Sequence, residues 1–432
     1  MTGTARRPLL GSLAALAAPF LRARPAAAQQ PAAPTNELRL GALFPFTGSF
    51  TLLGDESFRG LELAAEERNA AGGLLGRPIR LVKGDAMDQA QALAEVRRLI
   101  GEARVAAVFG TYASPLAFAA TQAAELAGMP YFELGAIADP ITDRGFRYVF
   151  RTCPRASDFA RESVNAIPDA LCPTLGLAPE ARESPRPEAR ESLRPETLKL
   201  AILHEDGLYG QSVGGFQEAQ IKARGLNLVE KLAYGARSID LAAMIQRLRG
   251  LGADVVLHTG YQNDIVLFYR GLREAGWWPR MVIGAGAGYS LSDTARAIGP
   301  DFDGTMNVDF TPFAVNERAA PGAAAFAETY QRRYGSEPRS GHSLANYVGA
   351  QIGFDALHRA GGTDKDKLRA AVLATDVAEG TTATGWGARF DEKGQNQRAR
   401  PFLLQWQGNR LMTVSPAEAA VAALQPRLGA KG

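Results

Sequence analysis

Ser114 stands near the end of Gly110-Thr-Tyr-Ala-Ser-Pro115, and a second run of small residues, Glu133-Leu-Gly-Ala-Ile-Ala-Asp-Pro140, follows it. Each stretch begins where an apolar run suited to a buried strand stops, at 105–109 and at 131–134. The first leads into an Ala-rich helical pattern. A hydroxyl and small residues therefore fall at strand carboxyl ends, where a parallel α/β sheet presents helix N-termini with unpaired N–H groups. That chemistry suits an anion such as a carboxylate. Ser114-Pro115 also reads as an ordinary helix start, an N-cap followed by Pro, and the two roles coexist.

Other reactive residue types point away from catalysis. No Gly-x-Ser-x-Gly elbow, Walker loop or His-Glu-x-x-His occurs. Gly284-Ala-Gly-Ala-Gly288 follows a strand pattern but lacks the final Gly spacing of a dinucleotide fingerprint. The four His (His204, His258, His342, His358) show no ligand spacing, so no metal and no cofactor are expected. His204 and His258 each close a strand-like run, as structural histidines do. The only Cys are Cys153 and Cys172. An oxidising compartment permits a bridge between them, but the helical pattern at 156–167 requires the chain to fold back, and pairing stays open.

The elements that position these residues alternate. A strand pattern at 38–44 ends at Pro45-Phe-Thr-Gly48, a helix face follows through Phe58, Leu61 and Ala65, and a second strand at 78–85 precedes an amphipathic segment with Leu93, Val96 and Ile100. With the runs at 105 and 131 this makes a doubly wound first half. From 146–151 a second βα series continues through 198–204, 226–232, 254–258 and 281–284. Then come a strand at 306–310, helices at 316–334, 342–360 and from Asp364, and a terminal strand at 402–406. Between the two series Pro179-Glu-Ala-Arg-Glu-Ser-Pro-Arg186 recurs as Pro187-Glu-Ala-Arg-Glu-Ser-Leu-Arg194. This charged, Pro-rich duplication has nothing to bury, and 176–197 reads as a solvated surface insertion.

The first 28 residues carry Arg6-Arg7, an apolar stretch to Leu21 and Ala26-Ala-Ala28, the layout of a cleaved export signal, of either the twin-arginine or the ordinary secretory kind. They hold four Arg and no acid or Lys, so their removal takes the formal charge from +3 to −1. The basic excess belongs to the leader, which argues against a nucleic-acid partner. No later apolar run reaches membrane-spanning length. A soluble, exported protein is expected.

Taken together, Phe44-Pro-Phe-Thr-Gly48, Asn69-Ala-Ala-Gly-Gly-Leu-Leu-Gly-Arg-Pro-Ile79, Gly110-Thr-Tyr-Ala-Ser114, Phe150-Arg-Thr152, His204-Glu-Asp-Gly-Leu-Tyr-Gly210 and Phe390-Asp-Glu-Lys-Gly394 resemble the periplasmic solute-binding proteins of branched-chain amino-acid ABC importers. The resemblance covers nearly all of the sequence beyond the leader. It implies two α/β lobes, each a doubly wound parallel sheet, joined by three crossovers near 151–154, 309–312 and 385–390. The lobes would be 29–151 with 311–386, and 152–310 with 387–432. A small solute would bind between them, the lobes would close by hinge motion, and a membrane permease would receive the solute from a monomer. A sensor role for the same scaffold and an ammonium-free carboxylate ligand, such as an aromatic or 2-oxo acid, are the alternatives.

The resemblance places Ser114, Ala113 and the backbone at Gly135 and Ala136 on the ligand carboxylate. It also puts Tyr209 and Tyr261 on the cleft wall, where a ring offers apolar area and a hydroxyl. Phe50, Leu52 and Leu53 would line the mouth of the first lobe, helix packing being the alternative. Two positions depart from the family pattern. Ile137 replaces a common Thr, and Gly286 stands where an acid pairs with the ligand ammonium. A buried ammonium needs an acceptor, and Glu133 is the nearest acid in sequence to supply one, its alternative role being that of a structural partner for an Arg.

Overall fold

The computed structural model describes residues 36–176, 195–235 and 238–426, with Gly3 and Leu428 in addition. The segment 1–28 read as a leader, Gly3 apart, and the body of the charged duplication lie outside the described residues. Strands β1 (Leu38–Phe44), β2 (Ile79–Asp85), β3 (Val108–Gly110), β4 (Tyr131–Glu133) and β5 (Val149–Arg151) form a parallel sheet in the order β2-β1-β3-β4-β5. Side chains along β1 alternate between two cores. Leu40, Ala42 and Phe44 join Phe58, Leu61 and Phe354, while Leu43 joins Val96, Leu99 and Leu116. That alternation seats helices α1 (Thr51–Ala70) and α10 (His342–Ala360) on one face and α2 (Gln89–Gly101) and α3 (Ser114–Leu126) on the other. Asp88 starts α2 by accepting the Gln91 N–H at 2.8 Å.

The second sheet collects β6 (Leu200–Glu205), β7 (Leu228–Tyr234), β8 (Val255–Thr259), β9 (Met281–Ala285) and β10 (Met306–Asp309). The short pair β11 (Asp376–Val377) and β12 (Ala388–Arg389) stands apart. The hairpin β13 (Phe402–Gln407) and β14 (Arg410–Ser415) completes the order β14-β13-β10-β9-β8-β6-β7. Every residue of β6, β8, β9 and β10 is buried. One face packs α4 (Ala156–Ala166) and α5 (Leu208–Ala223) through Phe159, Val164 and Val213. The other packs α6 (Ala242–Leu251), α7 (Gln262–Ala275) and α8 (Ser292–Ile298) through Leu248, Phe268 and Ala295. Both sheets belong to one compact unit that begins at Glu37.

Three details differ from the sequence reading. The helix expected from Asn316 begins only at α9 (Ala323–Tyr334), because Pro321 has no N–H and disfavours helix before it. β14 was not anticipated, although Gly408 and Asn409 at φ 55° and 63° make the turn that hairpins prefer. It and β13 run antiparallel to their neighbours, so the second sheet is not wholly parallel. Finally, residues 390–396 still lie against the first sheet, where the Arg151 N–H donates to Gly394 O at 2.8 Å. The last crossing is therefore completed only at Phe402. Cys153 and Cys172 are both buried free thiols, and burial pushes the Cys172 thiol up to about 11.

Helices α1 and α10 touch backbone to backbone. A Cβ on Gly60 would lie 1.9 Å from the Ser343 carbonyl oxygen. Beside it Glu56 accepts the Ser343 hydroxyl at 2.6 Å and the Tyr330 hydroxyl at 2.7 Å. This close approach fixes the first turn of α10. Gly60→Ala is expected to cost about 1–3 kcal/mol by overpacking, read as a lower midpoint in thermal unfolding.

Candidate functional site

The carboxyl ends of the two sheets face each other across a cavity. From the first lobe come Tyr112 and Ser114 after β3, Gly135 and Ile137 after β4, and His342 at the start of α10. From the second come Tyr209 on α5, Tyr261 after β8, and Gly286 with Ala287 after β9. Asp309 and Phe310, where the chain leaves β10, close one end. The room between them is about 20 Å³. That holds about one water, so a solute of amino-acid size enters only when the lobes part and the rings re-pack. Closure is held by Phe50 against Tyr261, ring centroids 4.6 Å apart, and by the Asp139 N–H donating to Ser212 Oγ at 3.3 Å.

Ser114 is the first residue of α3, with Ala113 at the N-cap and Pro115 following. Its hydroxyl caps nothing. Instead Oγ accepts the Ala138 N–H at 3.2 Å, which ties the β4 loop to the helix start and leaves the hydroxyl proton for an acceptor in the cavity. Tyr209 donates its hydroxyl to the Ala285 carbonyl. The Tyr261 hydroxyl is buried without a hydrogen-bond partner. Burial pushes the hydroxyls of Tyr112, Tyr209 and Tyr261 well above the ordinary tyrosine value, so all three stay neutral donors.

Other expected contacts are placed elsewhere. The N–H groups of Gly135 and Ala136 are committed to Glu133 Oε1, at 3.0 and 2.8 Å, so they do not point at a ligand carboxylate. Ala113, Ala136 and Leu53 do not line the cavity. Leu53 is buried in the core, with Phe50 and Leu52 packed against that cluster. Nor does Glu133 face the cavity as an ammonium partner: its Oε2 accepts the Thr111 N–H at 2.8 Å and the Thr111 hydroxyl at 3.1 Å. The donors two and three residues along its own loop are simply nearer than the cleft.

Glu133 is thus the organiser of the loop that carries Gly135 and Ile137. Burial pushes its carboxyl up to about 7, against the pull of the bonds it accepts. A folded value above the usual 4.5 means that the folded state binds the proton more readily. Its contribution to stability is then fullest below that usual value and is lost as pH rises through about 7. In Glu133→Gln an amide NH₂ meets backbone N–H groups. Urea unfolding should show a loss of about 2–4 kcal/mol at about pH 5 and a smaller one at about pH 8.

An acid does reach the cavity, and it is Asp309. It is buried, its Oδ2 takes the Ser290 hydroxyl and its Oδ1 accepts the Phe310 N–H at 2.7 Å. Asn307 supports the arrangement, donating to Ser290 Oγ at 2.8 Å and accepting the Gly286 N–H at 2.9 Å. Gly286 sits at φ 77°, ψ −153°, a region open essentially to glycine alone. A Cβ there would lie 3.4 Å from Asp309 Oδ1 and 3.0 Å from Phe159. The carboxylate of the neighbouring strand therefore occupies the space beside a side-chain-free position. His342 Nε2 lies 3.6 Å from Asp309 Oδ1, too far for a hydrogen bond but within reach of an ion pair.

The chain matches the family model for periplasmic binding proteins over residues 37–410. It belongs to the periplasmic binding protein family. It is 46% identical over 390 residues to Leu/Ile/Val-binding protein homolog 8 of Brucella abortus, covering 90% of this chain and 93% of that relative. Among solved structures it resembles LivJ, the branched-chain amino acid transporter substrate binding protein of Streptococcus pneumoniae, in complex with isoleucine. The TM-score is 0.72 at 21% identity, over 89% of this chain and 99% of LivJ. An ABC transporter solute-binding protein of R. palustris in complex with benzoate matches with TM-score 0.71 at 20% identity, over 90% and 99%. At such identities the likeness carries the two-lobed fold.

The sequence reading of this periplasmic binding protein did not pick out six of the cavity residues: Tyr112, Phe159, Ala287 and Phe310, which form wall, and Asp309 and His342, which can carry charge. A signal existed for Asp309, an acid at the carboxyl end of the strand-like run Met306-Asn-Val-Asp. His342 gave none beyond its place after Gly341. The other two buried histidines are bonded, His258 between the Tyr234 and Tyr289 hydroxyls and His204 through Nδ1 to the Glu205 carbonyl. Among the described residues no group of His, Cys, Asp and Glu could hold a metal ion, and no helix is long and apolar enough to cross a membrane. A wider groove of about 810 Å³ runs along the crossovers. Part of its charge is paired within the groove, Arg161 with Asp158 and Arg400 with Glu379.

Proposed function

We propose that this protein is the exported solute-binding component of an ABC importer and that it captures an amino acid with an apolar side chain between its lobes. One observation carries the ligand class: Asp309 supplies, from β10, the carboxylate that position 286 lacks. In this reading Asp309 accepts the ammonium and the Ser114 hydroxyl donates to the carboxylate. Tyr112, Phe159, Tyr209, Tyr261 and Phe310 enclose the side chain. Ile137 adds apolar surface where a Thr would have added a donor. Such a site binds and releases without chemistry, and the closed lobes present the solute to a membrane permease. The relatives above, a Leu/Ile/Val-binding protein homolog and a substrate binding protein in complex with isoleucine, support it.

A second reading rests on His342. Were its imidazolium to hold the Asp309 charge, the cavity would suit an ammonium-free acid, as in the benzoate complex of the R. palustris relative. A thermal-shift panel on refolded, ligand-free protein separates the two. Leucine, isoleucine, valine and phenylalanine are compared with their 2-oxo counterparts and with benzoate. A ligand at a hundred times its dissociation constant adds about 2.7 kcal/mol. Stabilisation by amino acids alone is expected; stabilisation by the deaminated acids alone would replace the first reading with the second.

A further inference from the structure

His342 is buried, and neither ring nitrogen has a hydrogen-bond partner. Its ring is held by apolar contact, 4.7 Å from Phe310 and edge-on to Tyr112 at 6.2 Å. It opens α10, where the helix dipole disfavours a positive charge, and the cavity carboxylate that favours one is Asp309. The other titratable groups around it are accounted for. Tyr112, Tyr209 and Tyr261 are neutral donors on the cavity wall. Behind the ring, Glu56 of α1 is bonded to Ser343 and Tyr330. Arg339, just before α10, pairs with Asp55 and Asp293.

Two cations cannot share one carboxylate in a dry cavity without cost. A solute ammonium titrates far above neutrality, whereas an imidazole titrates near it. The cation that gives way is the imidazolium.

We propose that His342 makes solute capture proton-linked: the ammonium of an arriving amino acid takes Asp309, and the imidazolium of His342 gives its proton to solvent buffer as the lobes close. This rests on the amino-acid reading given above. Imidazole remains neutral in the complex, and no other bond is made or broken. Affinity for a zwitterion then weakens with falling pH, by up to about ten-fold per pH unit, the limit for one released proton. An ammonium-free acid shows no such loss, so the pair also selects ligand by charge.

The test is calorimetry of leucine binding to the full protein at about pH 6, in two buffers of different ionisation enthalpy, for wild type and His342→Gln. The wild-type heat should differ between buffers by an amount equal to release of up to one proton, and the His342→Gln heat should not differ. Leucine binding with a buffer-independent heat in wild type, or with the same proton release in His342→Gln, overturns the inference and leaves the ligand reading standing. Absence of leucine binding to the wild type overturns both. Should His342→Gln fail to fold, the ligand-free wild type supplies the check through histidine NMR, simple with four His in the chain. The His342 resonance must titrate, and Asp309→Asn must lower its midpoint. An unchanged midpoint overturns the proposal.

Discussion

Asp309→Asn should weaken leucine binding by about thirty- to a thousand-fold, the effect of removing one charge of a buried pair, about 2–4 kcal/mol. Asn keeps its oxygen as acceptor for the Phe310 N–H and turns its NH₂ to Ser290 Oγ as a donor, so the β10 end retains its shape and the melting temperature of the ligand-free protein should move little. The loss is specific to charge. Binding of 4-methyl-2-oxopentanoate, which carries no ammonium, should not fall in the same variant. Calorimetric titration of both solutes against both proteins reads the difference directly. Equal losses for the two solutes would mean that Asp309 shapes the cavity and does not hold an ammonium.

The largest expected effect on stability lies at Arg151. Its guanidinium is fully buried at the junction of the first crossing and the segment that returns at 390–396. Nε donates to Gln395 Oε1 at 2.6 Å, Nη1 to the carbonyls of Ala138 at 2.7 Å and Ala136 at 3.2 Å, and Nη2 to Thr142 Oγ1 at 2.8 Å. Glu133 grips the same loop from the other side through its N–H groups. A buried acid and a buried base thus hold one loop by its donors and its acceptors, and that loop carries Gly135 and Ile137 into the cavity. Arg151→Met removes all four bonds, so that Ala138 O keeps only the Ile141 N–H at 3.1 Å and Gln395 Oε1 only the Thr142 hydroxyl at 3.3 Å. A loss of about 3–5 kcal/mol in urea unfolding is expected, with weaker leucine binding because Ile137 loses its fixed place. Arg151→Lys, with a single ammonium for four acceptors, should recover only part of it.

What could be read from the residue order was whatever depends on near neighbours. Ser114, Tyr209, Tyr261 and Gly286 each follow an apolar strand pattern, and the carboxyl edge of a parallel sheet is where a cleft opens. The βα rhythm carried the two sheets for the same reason, since strands buried on both faces are continuously apolar. Asp309 was hidden because its meaning depends on Gly286, 23 positions earlier and one strand away. Only the pairing of β9 with β10 shows that one residue fills the space that the other leaves. His342 stands on a helix of the opposite lobe, and only the fold brings it to Asp309. Glu133 misled for the opposite reason. Nearness in sequence suggested a ligand contact, while its own loop offered closer donors. Ser114 was legible as a helix start, but that its oxygen reaches Ala138 and not its own helix depends on how the β4 loop packs.

The most direct measurement is a crystal structure of the refolded protein with leucine. The expected result has the leucine nitrogen about 2.7–3.2 Å from an Asp309 carboxylate oxygen and the leucine carboxylate on Ser114 Oγ, with the lobes closed around it. Leucine bound with its nitrogen away from Asp309, or with its carboxylate turned to His342 while Asp309 keeps only its Ser290 and Phe310 bonds, would contradict the account.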